Sequence, residues 1–177
     1  MIKLNLPEYN FSYRLLDNKK QIFDSVRKKY VALTEEEWVR QNFIQWLIQE
    51  KKYPSGLIAI EKEFLLNGLK KRYDAVVFNN NHKPAVLVEC KAPHIAISQL
   101  VFDQAARYNI ILKVPYLIIT NGQKHFCSLI DFEKENQQYD YISFNINGTP
   151  SIKTHYGFWT EYVKLKKKKK IVTLTDI

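Results

Sequence analysis

Glycine is scarce in this 177-residue chain, with five residues, and cysteine scarcer, with two. No G-x-x-x-x-G-K-[ST] string occurs, so a P-loop motor is excluded and ATP-driven work is not expected. Cys90 and Cys127 are too few for a disulfide framework, and a reducing cytoplasm is the simplest setting. The longest apolar run, around Tyr116-Leu117-Ile118-Ile119, falls far short of the roughly 20 residues a membrane-spanning helix needs. The opening Met1-Ile2-Lys3-Leu4-Asn5-Leu6-Pro7 has no apolar h-region, so no signal peptide or membrane association is expected. Internal repeats are also lacking.

What is present suits one folded unit. The length fits a single domain, and the apolar and charged fractions, 46% and 25%, are those of a globular protein. Three parts are expected: an arm and short helix over 1–30, a catalytic-type domain over 31–150, and an extension over 151–177. The net charge is +9, but Lys164 and Lys166 to Lys170 supply six of these charges, leaving +3 for the rest. A basic balance favours anionic partners through counterion release, although such a run also serves as a solvated tail.

Residues 1–16 are rich in aromatics and read as an extended arm, and residues 22–30 read as a short helix. Thr34-Glu35-Glu36-Glu37 has the pattern of a capping box, with Thr34 as N-cap and Glu37 three residues on. Val39, Phe43, Trp46 and Leu47 then recur at helical spacing as far as about Lys51. Strands are expected over 57–66, 72–78 and 84–91, with Asn79-Asn80-Asn81-His82 turning the second into the third. A helix over 96–111 follows. Asn121-Gly122 marks a second hairpin, between strands at 116–120 and 123–130, and residues 141–146 add a late strand. The order predicts a mixed α/β sandwich with an αβββαβ core, not the strict alternation of a doubly wound sheet.

Register turns this pattern into chemistry. A hairpin centred between Asn81 and His82 sets Asp74 opposite Glu89, Val76 opposite Leu87 and Phe78 opposite Ala85. Opposed residues share a face, and Lys91, two residues past Glu89, shares it too. Asp74, Glu89 and Lys91 then converge at one end of the hairpin, while Ala75, Val77, Val86, Val88 and Cys90 point into the core. Two carboxylates brought together repel unless a cation or proton lies between them. Oxygen ligands with open positions suit Mg²⁺, which binds phosphate oxygens and stabilises charge during phosphodiester cleavage. A nearby lysine orients the attacking water, or helps deprotonate it if its own pKa is lowered. The alternative is a surface salt-bridge patch.

These residues resemble a known family. Leu33-Thr34-Glu35-Glu36-Glu37-Trp38-Val39-Arg40-Gln41, Lys71-Arg72-Tyr73-Asp74, Val88-Glu89-Cys90-Lys91-Ala92-Pro93, Asp103-Gln104-Ala105-Ala106-Arg107-Tyr108-Asn109 and Thr120-Asn121-Gly122 follow the order found in the N-terminal domain of the type I restriction enzyme R subunit. The similarity covers about residues 1–150. It implies a PD-(D/E)XK restriction-endonuclease-like fold, a central mixed sheet flanked by helices. It further implies that Asp74 and Glu89, with the Cys90 backbone carbonyl, bind Mg²⁺ or Mn²⁺ and that Lys91 is the catalytic lysine. Gln104 and Tyr108 match the family's Q-x-x-x-Y motif, and they sit one helical turn apart on one face. An acidic residue on the first helix often completes such sites. Glu36 is the candidate, since Glu37 is taken by the cap, and Arg40 on the same face is assigned with Gln104 and Tyr108 to substrate binding. The expected function is metal-dependent endonucleolytic cleavage of DNA without a helicase motor. The alternatives are a non-catalytic nucleic-acid-binding module and an assembly subunit of a restriction or repair system.

Other groupings are less specific. Cys90, His94, His125 and Cys127 lack the paired spacing of a zinc site. Glu61 and Glu63 read as a solvated strand face. Phe126, Trp159 and Tyr162 suit either base stacking or apolar packing.

Overall fold

The computed structural model describes residues 1–66, 68–130 and 140–144. The lysine-rich extension, Trp159 and Tyr162 lie outside them.

Of the arm expected over 1–16, residues 1–12 form it, while 13–16 enter a strand. Leu4 and Leu6 are buried, the Asn5 N–H donates to the Gly122 carbonyl (2.7 Å), and the Gln123 amide donates to the Lys3 carbonyl (2.5 Å). Three antiparallel strands follow in the order β1 (Tyr13–Leu16), β2 (Lys19–Asp24) and β3 (Lys29–Ala32). They replace the helix expected over 22–30. The cause is local: the Asp24 carboxylate accepts the N–H groups of Val26 and Arg27, both at 2.8 Å, and reverses the chain where a helix would continue.

Helix α1 (Glu35–Gln49) starts where the cap signal predicts, with the Thr34 hydroxyl accepting the Glu37 N–H at 3.0 Å. Only half of the capping box forms, because the Thr34 N–H donates to Ala32 and the Glu37 carboxylate is engaged elsewhere. The helix ends two residues short of Lys51.

The next strands depart from the expected pattern. The segment 57–66 splits into β4 (Ile58–Ile60) and β5 (Glu63–Leu66), and 69–78 splits into β6 (Leu69–Arg72) and β7 (Ala75–Phe78). β4 pairs with β7 in the main sheet, while β5 and β6 form a sheet of their own. A single register nevertheless runs through both, from Ile58↔Val77 and Ile60↔Ala75 to Glu63↔Arg72 and Leu66↔Leu69. This is one long hairpin whose outer half leaves the sheet at Glu61, a residue with φ of 51°.

β7 turns through Asn79, whose side-chain oxygen accepts the N–H groups of Asn81 and Lys83, into β8 (Pro84–Cys90). Val76 pairs with Leu87 as the register argument requires, but a bulge beyond Val77 sets Phe78 against Pro84 rather than Ala85. Helix α2 (Gln99–Leu112) then carries the chain to β9 (Tyr116–Thr120), parallel to β8. β10 (His125–Leu129) and β11 (Asp140–Phe144) complete a six-stranded sheet ordered β11-β10-β9-β8-β7-β4. Of the late strand expected over 141–146, residues 145 and 146 lie outside the described part.

Alternation along the strands sorts the core into two layers. Val39, Phe43, Trp46 and Leu47 of α1 pack on Ala75, Val77, Val86, Val88 and Cys90. Phe102 and Ala105 of α2 pack on Val76, Leu87, Leu117 and Ile119 on the other face. The result is a mixed sheet between two helices. Among the described residues, no helix is long and apolar enough to cross a membrane.

Candidate active site

Asp74 precedes β7 and Glu89 lies near the end of β8, so the β7–β8 hairpin carries both to the same end of the sheet. The register that pairs Ala75 with Val88 places Asp74 level with Glu89. Their side chains are largely buried, 15% and 7% exposed. The Asp74 Oδ2 accepts the backbone N–H of Cys90 at 2.6 Å, and its Oδ1 accepts from Arg40 Nη1 at 3.1 Å. Lys91 Nζ donates to Glu89 Oε1 at 2.7 Å, and the Lys91 N–H donates to Thr120 of β9 at 2.8 Å. Cys90 turns its side chain into the core, away from the two charged neighbours.

Electrostatics link these groups. Burial raises the Glu89 pKa to about 7, and the Asp74 charge pushes it further the same way, against the pull of Lys91. Burial also raises Asp74, opposed by the Cys90 N–H and then by Arg40 and Lys91. Glu36, half-buried on α1, is raised by burial and then by Asp74. Three carboxylates therefore share one field with Lys91, the condition under which a bound cation is favoured. Burial draws Lys91 down, but Glu89 outweighs it and leaves its pKa raised, so Lys91 is held as an ammonium here.

Arg40 lies behind the carboxylates rather than in front of them. It is buried, donates to Asp74, pairs with Glu61 at 3.0 Å, and forms a close ion pair with Glu37. Glu61 is no solvated strand residue: it also pairs with Arg27 and, at 3.2 Å, with Arg72. Arg27 in turn holds Asp24 at 2.6 Å and Glu37 at 3.1 Å. An ion-pair network thus ties the small N-terminal sheet, α1 and the β4 exit to Asp74. Sequence reasoning missed Asp24, Arg27, Glu37 and Glu61 as members, since nothing local marks residues brought together across 34 positions.

Gln104 and Tyr108 both lie on α2, with Gln104 exposed. The Tyr108 side chain is outside the described part. The zinc grouping does not assemble: His94 pairs with Glu35 at 2.7 Å, and His125 is buried between Thr120 and Asn5. Among the described residues, no group of three or more His, Cys, Asp or Glu side chains is arranged to hold a metal. Mg²⁺ is usually held by one or two carboxylates, with waters and substrate phosphates completing its shell. The donor set at Asp74 and Glu89 fits such an ion.

Comparison with known proteins follows the same residues. The family model described as the type I restriction enzyme R protein N terminus matches residues 35–144, well over half of the chain. The chain belongs to this family. The R-protein match spans α1, the β7–β8 hairpin, α2 and the strands after it, and so contains Glu36, Asp74, Glu89, Lys91, Gln104 and Tyr108. No curated protein matches the chain. Among solved structures, a fragment described as an HsdR subunit of a type I restriction enzyme from Vibrio vulnificus YJ016 is similar, at 19% identity and a TM-score of 0.45. The overlap covers 61% of this chain and 23% of that one, and the family assignment does not depend on it.

Proposed function

We propose that this R-protein N-terminal domain is a metal-dependent endonuclease of the PD-(D/E)XK type acting on DNA. The observation that carries the reading is the meeting of Asp74, Glu89 and Lys91 at one end of a hairpin whose other face is core. Asp74 and Glu89, with the Cys90 carbonyl, would hold Mg²⁺ or Mn²⁺. When bound, the metal supplies charge stabilisation for the phosphodiester and a more acidic water. Glu36 adds negative charge facing the site from α1. Lys91, kept as an ammonium by Glu89, is suited to orienting a water or a phosphate oxygen and to balancing developing charge, not to acting as a free base. Arg40 acts on Asp74 by positioning it, while Gln104 and Tyr108 are the candidates for DNA contact from α2.

A non-catalytic module is the second reading. It draws on the two donors already on Asp74, Arg40 Nη1 and the Cys90 N–H. Nicking of supercoiled plasmid in Mg²⁺ or Mn²⁺ separates the two. Asp74→Ala and Lys91→Ala should each lower the rate on the order of a hundredfold or more. Equal rates in wild type and both variants would remove the nuclease assignment. Protein partners from a restriction system belong to the same proposal.

A further inference from the structure

The outer half of the long hairpin, residues 61–73, has no role in the site chemistry described above. It leaves the main sheet at Glu61, returns at Asp74, and is closed there by the Glu61 N–H donating to the Asp74 carbonyl at 3.0 Å. Its base is anchored to the body. Phe64 stacks on buried Tyr73 with ring centroids 5.8 Å apart, and Arg72 pairs with Glu61. Across residues 61–73 the charge is one-sided: Lys62, Lys70, Lys71 and Arg72 against Glu61 and Glu63, a net +2. Lys70 and Arg72, two residues apart on one strand, share a face, and their side chains are 77% and 58% exposed. Glu63 offsets Lys70 only weakly, at 3.7 Å between two exposed side chains. Leu65 and Leu69 stand 64% and 62% exposed near the tip.

We propose that this hairpin is a DNA-gripping arm, laying Lys62, Lys70, Lys71 and Arg72 on backbone phosphates next to the carboxylate site, with Leu65 and Leu69 entering a groove. Charge complementarity selects the occupant, since exposed Lys70 and Arg72 on one face of an extended ribbon, with partly exposed Lys71 on the other, match the phosphates on the two walls of a groove. Apolar side chains at such a tip are the kind that wedge against base steps. The arm springs from Asp74 itself, so a strand held on it is delivered to the site. The proposal rests on the nuclease reading for the choice of DNA over another polyanion.

The test is fluorescence anisotropy of the full chain with a labelled duplex in EDTA, which reads binding without cleavage. Each phosphate contact contributes about 0.9 to the slope of log K against log salt. Lys70→Ala with Lys71→Ala should therefore flatten that slope by about 2 and weaken binding about tenfold near physiological salt. Leu65→Ser with Leu69→Ser should weaken binding and leave the slope unchanged. Circular dichroism melting of both variants should match wild type, because all four side chains lie outside the buried core. Wild-type affinity and slope in the lysine variant overturn the arm, as does a wild-type chain that binds no duplex. Loss of plasmid nicking in Asp74→Ala with an unaltered arm effect in EDTA supports both readings. Absence of nicking in wild type with the arm effect intact sinks only the nuclease reading.

Discussion

Replacing Arg40 by Met tests the ion-pair network behind the site. Methionine fills the volume of the arginine stem but donates nothing. Three carboxylates lose a cation: Asp74 at 3.1 Å, Glu61 at 3.0 Å and Glu37. Removing one partner from a buried ion pair costs about 3–5 kcal/mol, since the remaining charge is left unpaired. Two features set the expectation at the lower end. Arg27 still reaches both Glu37 and Glu61, and Arg72 also reaches Glu61. The variant also removes the Arg40 Nε, which is buried without a hydrogen-bond partner and so already carries a cost of about 1 kcal/mol or more. A loss of about 3 kcal/mol at pH 7.5 follows. Its pH dependence has a definite sign. Burial already raises Asp74, and the variant removes the Arg40 charge that opposes this, so protonation of Asp74 favours the folded chain. The gap to wild type must therefore narrow as the pH falls towards 5. Urea titrations followed by far-ultraviolet circular dichroism at both pH values measure this. A loss under 1 kcal/mol at pH 7.5, or a gap that widens in acid, refutes the argument.

Two further outcomes follow from the turn between β9 and β10. Gly122 has φ of 79°, and a Cβ there would lie 2.7 Å from Leu4 Cδ2, so Gly122→Ala should cost about 2–4 kcal/mol and loosen the N-terminal arm to protease. Adding Leu4→Ala should give smaller than additive loss, and full additivity in thermal melts would contradict the contact. His125 is buried, which lowers its pKa to about 4 from 6.5. The Asn5 carbonyl can only accept, so Nε2 carries the proton and Nδ1 accepts the Thr120 hydroxyl. The unfolded chain takes up a proton that the folded chain resists, so this contribution is complete above pH 6.5 and fades as the pH falls towards 4, by about 3 kcal/mol. His125→Gln should flatten the stability profile across that window, and an unchanged profile would show the proton to be taken up elsewhere.

Legibility followed the range of each signal. Thr34, the Asn79 turn, Asn121-Gly122 and the alternation of 75–77 and 85–88 act over a few residues, and each marked its element, although half of the capping box is missing and the register slips beyond Val77. The pairing of Val76 with Leu87, which aligns Asp74 with Glu89, came from centring the hairpin between Asn81 and His82. The failures share a different cause. Residues 22–30 have apolar spacing compatible with a helix, but the Asp24 carboxylate captures the following N–H groups and reverses the chain. The strand over 57–66 reads as continuous because its register is continuous; only its departure from the sheet at Glu61 is invisible. Arg40 and Glu61 were misplaced for want of tertiary information. Their charges suggested solvent or substrate, and apart from Glu37 and Arg72 their partners come from segments far away in sequence.

The two pairings of β8 have unequal kinetic histories. Its antiparallel partner β7 is reached through a turn of a few residues, whereas its parallel partner β9 is reached only across α2. Local closure is fast and the crossover slow, since loop-closure entropy is met before the distant contacts form. Asp74 and Glu89 are therefore assembled early, before α1 delivers Arg40 or β9 anchors the Lys91 backbone. The nascent hairpin brings two like charges together with Lys91 beside Glu89 but before Arg40 reaches Asp74. A divalent ion in the refolding buffer should consequently speed collapse.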